Sequence, residues 1–321
     1  MTSLITGAAG FVGQHLVREL LGAGHQVIGG TLGGAPPSEG VLREDEVAAV
    51  RWVRFDVTDE AGLAAVLGEI RPERVFHLAA QSSVGAAFTD VLGTWDVNAT
   101  GTLRLLTACR EQDLGGGRVL FVSSAEVYGP VPEAEQPIRE TRPLHPINPY
   151  GASKAAGEMV ALQEVAAAGL DVVIARSFNH TGPGQARRFA LANWAAQLAE
   201  MRRGERQPVL QVGNLQARRD LLDVRDVVRA YRFLIEQGQS GGAYNVCSGE
   251  AYSLEEVVRQ LVELSGTGAQ VEVDADRLRP VDTPLLCGDP ARIRQLGWIP
   301  QVPLRTTLVD LLAASAGETV V

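Results

Sequence analysis

Ser3-Leu4-Ile5-Thr6-Gly7-Ala8-Ala9-Gly10-Phe11-Val12-Gly13 opens the chain with a short apolar strand that runs straight into three glycines. Behind them Phe11, Val12, Leu16, Val17, Leu20 and Leu21 recur at helical spacing, with Gly22 and Gly24 beyond the end of that helix. Strand, glycine turn and helix make a dinucleotide-binding arrangement. Glycine allows the tight turn and the close approach of backbone to a pyrophosphate, and the helix start offers it unpaired N–H groups. The spacing is Gly-x-x-Gly-x-x-Gly rather than the commoner Gly-x-Gly-x-x-Gly, so its place at the first strand carries the weight. Gly7, Gly10, Phe11, Val12 and Gly13 are thereby assigned to a cofactor loop.

Beyond this unit, short apolar segments at residues 26–28, 51–55, 74–78, 119–122 and 171–175 alternate with helical stretches. That alternation predicts an α/β fold with a doubly wound parallel sheet of the Rossmann type. After about Arg176 it weakens and loops, helices and charged turns take over, which predicts a smaller C-terminal α/β lobe that receives substrate. The expected division is a dinucleotide-binding domain over 1–176, rejoined by 213–246, and a substrate-binding lobe over 177–212 and 247–321. Residues 29–46, rich in Gly and Pro and then acidic, read as an irregular surface connection.

The composition narrows the class. The chain has 321 residues, 45% of them hydrophobic, enough for a large core, and no apolar run long enough to span a bilayer. A strand begins at the amino terminus in place of a signal segment, so a cytoplasmic location and no membrane partner are expected. Cys109, Cys247 and Cys287 are scattered singly without metal-ligand spacing, and read as reduced, buried thiols with no metal site. A net charge of -9 without a basic tract argues against nucleic acid.

Polar residues suited to a crevice follow several strands. Asp56, with Val57 behind it, can accept from an adenine amino group, or simply cap a helix. His77 reads as a packed structural histidine, and the small residues Leu78-Ala79-Ala80 after it let a nicotinamide ribose approach the backbone. Ser123 and Ser124 end the next strand. Tyr150 and Lys154 lie one turn apart on an alanine-rich helix that follows Pro149. An ammonium beside a phenol favours the phenolate, so the pair is expected to exchange a proton near neutrality, as a keto/alcohol interconversion requires. A serine hydroxyl facing that phenol would hold a substrate oxygen between two donors.

Gly7/Gly10/Gly13, Asp56, Leu78-Ala79-Ala80, Asn98 in Val97-Asn98-Ala99-Thr100-Gly101, Ser124, Tyr150 and Lys154 recur in order along the whole chain. In this the sequence resembles the extended short-chain dehydrogenase/reductases that act on nucleotide sugars. The resemblance implies that Ser124 polarises the sugar oxygen, that Tyr150 transfers the proton, and that Lys154 holds the cofactor ribose and tunes Tyr150. Asn98 would fix the geometry of the helix near the site through a water. NADPH or NADH is the implied cofactor. Gly29-Gly30-Thr31-Leu32-Gly33-Gly34 supplies neither the acid that reads a 2′-hydroxyl nor the arginine that reads a 2′-phosphate, and Arg43 lies in a loop the sequence does not place.

The second half is similar to the GDP-sugar members. The matching segments are Arg176-Ser177-Phe178-Asn179-His180-Thr181-Gly182-Pro183-Gly184-Gln185, Arg218-Arg219-Asp220, Asp223-Val224-Arg225-Asp226, Tyr244-Asn245-Val246-Cys247-Ser248-Gly249 and Arg279-Pro280-Val281-Asp282. Arg219 and Arg279 are planar forks suited to a diphosphate, a carboxylate such as Asp282 can take both ribose hydroxyls, and Asn179 would bond the diphosphate or sugar. Ser82 is placed with the substrate as well.

Ser124-Ala125-Glu126 stands where dehydratases of the group carry Thr, then Ser or Asp, then Glu. Elimination of water needs an acid and a base beside the tyrosine, and Ala125 supplies no polar group; Glu126 is retained as an auxiliary catalytic candidate. The resemblance therefore implies the reductase branch: reduction of the 4-keto group of GDP-4-dehydro-6-deoxy-D-mannose to GDP-D-rhamnose. The alternatives are a GDP-mannose 4,6-dehydratase or a nucleotide-sugar 4-epimerase and, outside catalysis, a dinucleotide-binding regulatory protein, which would have no need of Ser124, Tyr150 and Lys154 together. A homodimer through the helix after Asn98 and the Tyr150 helix is implied by the same resemblance.

Overall fold

A computed structural model of the chain describes residues 1–112, 117–277 and 283–318. Seven parallel strands form the main sheet: β1 (Thr2–Thr6), β2 (Gln26–Thr31), β3 (Arg51–Arg54), β4 (Arg74–His77), β5 (Arg118–Ser124), β6 (Asp171–Ser177) and, after three strands that leave it, β10 (Ala243–Val246). The three between are β7 (Asn179–Thr181), β8 (Val209–Val212) and β9 (Arg218–Asp223). The chain ends with β11 (Ala251–Ser253), β12 (Gln270–Val273) and β13 (Leu285–Leu286). In the main sheet the order is β10-β6-β5-β4-β1-β2-β3, so the winding direction reverses between β1 and β4, which is where such sheets open a ligand crevice.

The central strands are apolar through their middles because both faces are covered. On one side Leu16, Val17 and Leu20 of the Phe11–Gly22 helix and Val227, Tyr231, Leu234 and Ile235 of the Val224–Gln237 helix pack over Ile5, Phe76, Leu120 and Val173. On the other, Leu63 and Leu67 of Glu60–Ile70, Leu105, Leu106 and Cys109 of Gly101–Glu111, and Ala161 of Pro149–Ala168 pack over Leu4, Val75, Val119 and Phe121. Predicted and observed strands agree in place, with β2 running on to Thr31.

A second core holds the smaller unit. Leu191, Trp194 and Leu198 of Ala190–Arg202, Val257 and Leu261 of Leu254–Ser265 and Leu308, Leu311 and Leu312 of Leu304–Ser315 close on Leu210, Val212 and Leu221. Here β9 pairs with β7, β11 and β13, and β8 pairs with β12. The last residue of β9, Asp223, caps the Val224–Gln237 helix, so one continuous segment passes from the small sheet onto the large one.

The 29–46 connection is more structured than its composition indicates. Gln14 Nε2 donates to the Ala9 and Glu39 carbonyls while its Oε1 accepts from Val41 N at 2.9 Å. Arg18 bonds the Val41 carbonyl and pairs with Glu46. A short helix, Glu44–Ala48, follows with Glu46 buried in that pair. The first helix thus staples the connection over its own amino end.

Candidate active site

Gly7 has φ +71°, a conformation that penalises any side chain, and a Cβ there would stand 3.1 Å from Ala79 N and Cα at the exit of β4. At Gly13 a Cβ would fall on the Gly7 carbonyl oxygen and 2.8 Å from Ala8 Cα. The helix after Gly10 has no side-chain cap, so its first-turn N–H groups remain directed to the turn. Phe11 and Val12 are its first two residues; Val12 packs into the core and Phe11 stacks on His180 at 6.3 Å. A turn with no room for side chains and free helix donors fits a pyrophosphate.

The strand exits beside this turn are locked by a hydrogen-bond chain. Thr102 Oγ1 donates to Asn98 O at 2.6 Å and therefore accepts from His77 Nε2 at 3.0 Å; His77 Nδ1 in turn accepts from Thr6 Oγ1 at 2.9 Å. Thr6 Oγ1 accepts from Leu78 N and Ala79 N at 3.1 and 2.9 Å. Burial and then the nearby Lys154 charge push the His77 pKa down to about 3, so the ring is neutral and structural. Ala80 and the exposed Ser82 lie on the loop that follows, between the anchored Ala79 and Asn98-bound Gln81 on one side and the Ser83 helix cap on the other. Asp56 is not a helix cap. That role falls to Asp59, while Asp56 Oδ1 accepts from Thr58 N and Oγ1 at 2.9 and 2.7 Å, which holds its pKa down. Val57 is buried against Gly101.

Asn98 sits in a π-helical turn, Asp96–Thr100. Its Oδ1 accepts from Gln81 N at 2.8 Å, and its Nδ2 donates to Gln81 O and Ser153 Oγ, both at 3.0 Å. Ser153 Oγ donates to the Tyr150 carbonyl. These bonds tie the β4 exit to the tyrosine helix.

That helix begins with Asn148 as its cap, accepting from Gly151 N at 2.7 Å. Asn148 Nδ2 donates to Glu126 Oε2, also at 2.7 Å, so Glu126 is engaged in holding the helix start. Ser124 ends β5 with its hydroxyl on the side of the Tyr150 phenol, and accepts from Glu126 N at 3.2 Å. Burial drives that phenol up to about 12, against the lowering effect of Ser124, with the Glu126 charge adding to the rise. Lys154 corrects one expectation. Its Nζ donates to Val122 O at 2.9 Å and stands 5.2 Å over the Phe121 ring, so it does not pull the phenol toward neutrality. Its own pKa is lowered to about 8 by burial, against the raising effect of Glu158.

Glu158, a further turn along, escaped the sequence reading. It is fully buried, accepts from Ser123 Oγ at 2.5 Å and takes three bonds of 2.7–3.1 Å from Arg176. Arg176 continues to Tyr128 OH, which donates to Asn245 Oδ1 at 2.6 Å. The 150/154/158 spacing was the available signal, a carboxylate on the same helical stripe as the Tyr and Lys.

On the small sheet, Arg219 and Asn179 approach through β9. Asn179 lies opposite Leu221, two residues from Arg219, and Arg219 is fixed by a bond to Thr283 O at 2.6 Å. Asp220 is occupied structurally, accepting from Ser248 N and Oγ and from Gly249 N. In the Asn179–Gln185 segment, His180 meets Phe11, His15 bonds Pro183 O at 2.9 Å, and Gln185 ties Thr181 to His180 O. Arg279 and Asp282 lie outside the described residues. Among the described residues no His, Cys, Asp or Glu group has metal-site geometry, and no helix is long and apolar enough to cross a membrane.

Comparison with known proteins places this geometry. The model of the family described as GDP-mannose 4,6 dehydratase matches residues 4–311. GDP-6-deoxy-D-mannose reductase of Pseudomonas aeruginosa is 38% identical, over 96% of this chain and 95% of its own. GDP-mannose 4,6 dehydratase 2 of Arabidopsis thaliana is 33% identical, over 94% and 83%. Among solved structures, RMD from Pseudomonas aeruginosa complexed with NADPH superposes with a TM-score of 0.85 at 34% identity, covering 98% of this chain and 99% of that one. The UDP-glucose 4-epimerase of Thermus thermophilus complexed with NAD also gives 0.85, at 30% identity and 99% of both chains. With its reversed-order sheet, its glycine turn and its Ser-Tyr-Lys set in place, the chain belongs to the GDP-mannose 4,6-dehydratase family of extended short-chain dehydrogenase/reductases.

Proposed function

We propose that the chain reduces the 4-keto group of GDP-4-dehydro-6-deoxy-D-mannose to GDP-D-rhamnose with NAD(P)H. One observation carries the choice within the family: Ala125, between Ser124 and Glu126, is 2% exposed and packed with Val127, Tyr128 and Phe178. A methyl group in an apolar pocket neither gives nor takes a proton, and the neighbouring Glu126 is held by Asn148. Elimination of water needs that second acid and base; reduction needs one proton donor. The similarity to the Pseudomonas aeruginosa reductase supports the same choice.

Reduced nicotinamide, when bound, supplies the hydride. Gly7, Gly10 and Gly13 with the first turn of the helix at Phe11 and Val12 would hold its pyrophosphate, Asp56 and Val57 its adenine, and Leu78, Ala79 and Ala80 its inner ribose. Ser124 and Tyr150, neighbours at the end of β5 and the start of the Pro149–Ala168 helix, would meet the alkoxide with two donors. A phenol whose pKa is raised keeps its proton at neutral pH, the state a reduction needs. Lys154 below pH 8 places a fixed cation under β5 and orients a cofactor ribose. Asn179 and Arg219 line the small sheet for the GDP diphosphate, joined by Arg279, Asp282 and Ser82. The lobe of 177–212 and 247–321 is the proposed substrate side.

We read the assembly as a homodimer. The helices at residues 84–95, 101–111 and 149–168 leave Phe88, Leu92, Trp95, Leu103, Met159 and Leu162 exposed, Leu92 at 84%. The three unpaired thiols suit a reducing, cytoplasmic compartment. Purified enzyme with the GDP-4-keto sugar should consume reduced cofactor one for one with product; turnover of GDP-mannose without net cofactor use would overturn the reductase reading. Tyr150→Phe should cut kcat by on the order of 10²–10⁴ while cofactor affinity stays.

A further inference from the structure

We infer that Gln136 is a positioning residue for the reaction, fixing where the keto end of the substrate falls relative to its diphosphate end; this rests on the reductase reading above. In that reading the keto group meets Ser124 and Tyr150 at the end of β5, while the diphosphate meets Asn179 and Arg219 on β7 and β9. The strands that carry the two ends belong to different cores, with Leu120 of β5 in one and Leu221 of β9 in the other. Something must hold one core in register with the other.

The connection that runs from Ser124 to Tyr150 does so. It is fixed to the large sheet where Arg176 Nη1 donates to Glu140 O at 3.0 Å and Asn245 Nδ2 donates to Ile138 O at 2.7 Å. From there it reaches the end of β13: Ile138 N donates to Cys287 O and Asp289 N donates to Ile138 O, both at 2.8 Å. Gln136 completes the join. Its Nε2 donates to Leu285 O at 2.7 Å and to Val131 O at 3.3 Å, and its Oε1 accepts from Cys287 N at 2.7 Å. A side-chain amide thus stands in for a strand's peptide group along β13, gripping the backbone on either side of Leu286. Along its other edge β13 pairs with β9, Leu285 opposite Arg218 and Leu286 opposite Arg219, and Arg219 Nη1 donates to Thr283 O at 2.6 Å. Leu286 itself packs in one cluster with Ala125, Val127 and Tyr128, the turn directly after Ser124. Both ends of the site are therefore registered on one strand of two residues. Apolar contact at Leu286 is non-directional and would let that strand slide. The paired amide bonds forbid it, because a slip of one residue displaces the strand by about 3.3 Å and turns the bonded groups away. A misplacement of only about 1 Å at a reacting carbon costs on the order of 10² in rate.

The test compares the full chain as wild type with Gln136→Met, which keeps the length of the side chain without its amide, and with Gln136→Ala, which leaves space for water should the methionine variant not fold. Measured are kcat with the GDP-4-keto sugar, the dissociation constants of GDP and of NAD(P)H, and the isotope effect on kcat from 4-deuterated NAD(P)H. The variants should lose about tenfold to a hundredfold in kcat, keep GDP and cofactor affinities within about twofold of wild type, and show a larger isotope effect as hydride transfer becomes limiting. A kcat within about twofold of wild type, or a fall in kcat matched by an equal loss of GDP affinity, would overturn the inference. So would a reduced kcat with an unchanged isotope effect, the mark of fewer folded molecules rather than of misplaced substrate. A wild type that leaves the keto sugar unreduced would remove the reductase reading and this inference with it.

Discussion

Lys154 delivers its charge to the Val122 carbonyl beneath the site, and Glu158 is the carboxylate that favours keeping it. Reduction with a cationic Lys154 should therefore hold up to about pH 8 and decline as pH rises through that value. Glu158→Gln removes the raising charge, so the alkaline limb of kcat against pH should move to lower pH. The same change strands Arg176, nearly all buried, without its counter-ion, which costs roughly 3–5 kcal/mol in a denaturant titration. The sequence disclosed Tyr150 and Lys154 because their spacing states which face they share, and Ser124 because it ends an apolar strand. It did not disclose where the ammonium ends, since that depends on a carbonyl of another strand, nor Glu158, whose partners Ser123 and Arg176 arrive from β5 and β6.

At the scale of elements, two connections set the site. The π-turn at Asp96–Thr100 presents Asn98 to both the Gln81 loop and Ser153, three bonds from one side chain. Asn98→Ala should cost about 2–4 kcal/mol and lower kcat more than cofactor affinity, because the tyrosine helix loses its register with β4. Gly13→Ala pushes a methyl onto the Gly7 carbonyl and should cost about 1–3 kcal/mol, weakening nucleotide binding most. The glycine turn was legible because strand, Gly-x-x-Gly-x-x-Gly and helix are contiguous. The 29–46 connection was not, because its order comes from Gln14 and Arg18, whose roles appear only once the helix is folded beside it.

Over the whole molecule, four of the five histidines have pKa values held below their ordinary range, chiefly by burial: His15 to about 4, His77 to about 3, and His25 and His180 in the same direction. The unfolded chain takes up protons near pH 6.5 that the native state refuses. Stability should thus fall as pH drops below about 6.5, with up to about 1.4 kcal/mol per pH unit from each of His15 and His77, levelling for His15 near pH 4 and for His77 near pH 3; thermal melts across pH 7 to 4 measure it. Leu92→Asp, on the exposed helical face, should turn the proposed dimer into a monomer by light scattering without loss of secondary structure. The parallel sheet was readable from alternating apolar segments, whereas the strands of the small lobe were not, because β7, β11 and β13 are very short and defined by their place in the sheet around β9 rather than by periodicity.

The route of the chain from β9 onto the Val224–Gln237 helix also bears on biosynthesis. Val227, Tyr231, Leu234 and Ile235 cover a face of strands that left the ribosome long before. Until residue 237 emerges, Leu120 of β5 and Val173 of β6 lack the helix that covers them, and β10 has not yet closed the sheet edge beside β6. A nascent chain of this protein therefore carries a broad greasy surface through much of its translation, a natural client for a holdase. The same logic predicts that residues 1–177 expressed alone will aggregate, although they contain the glycine turn, Ser124, Tyr150 and Lys154.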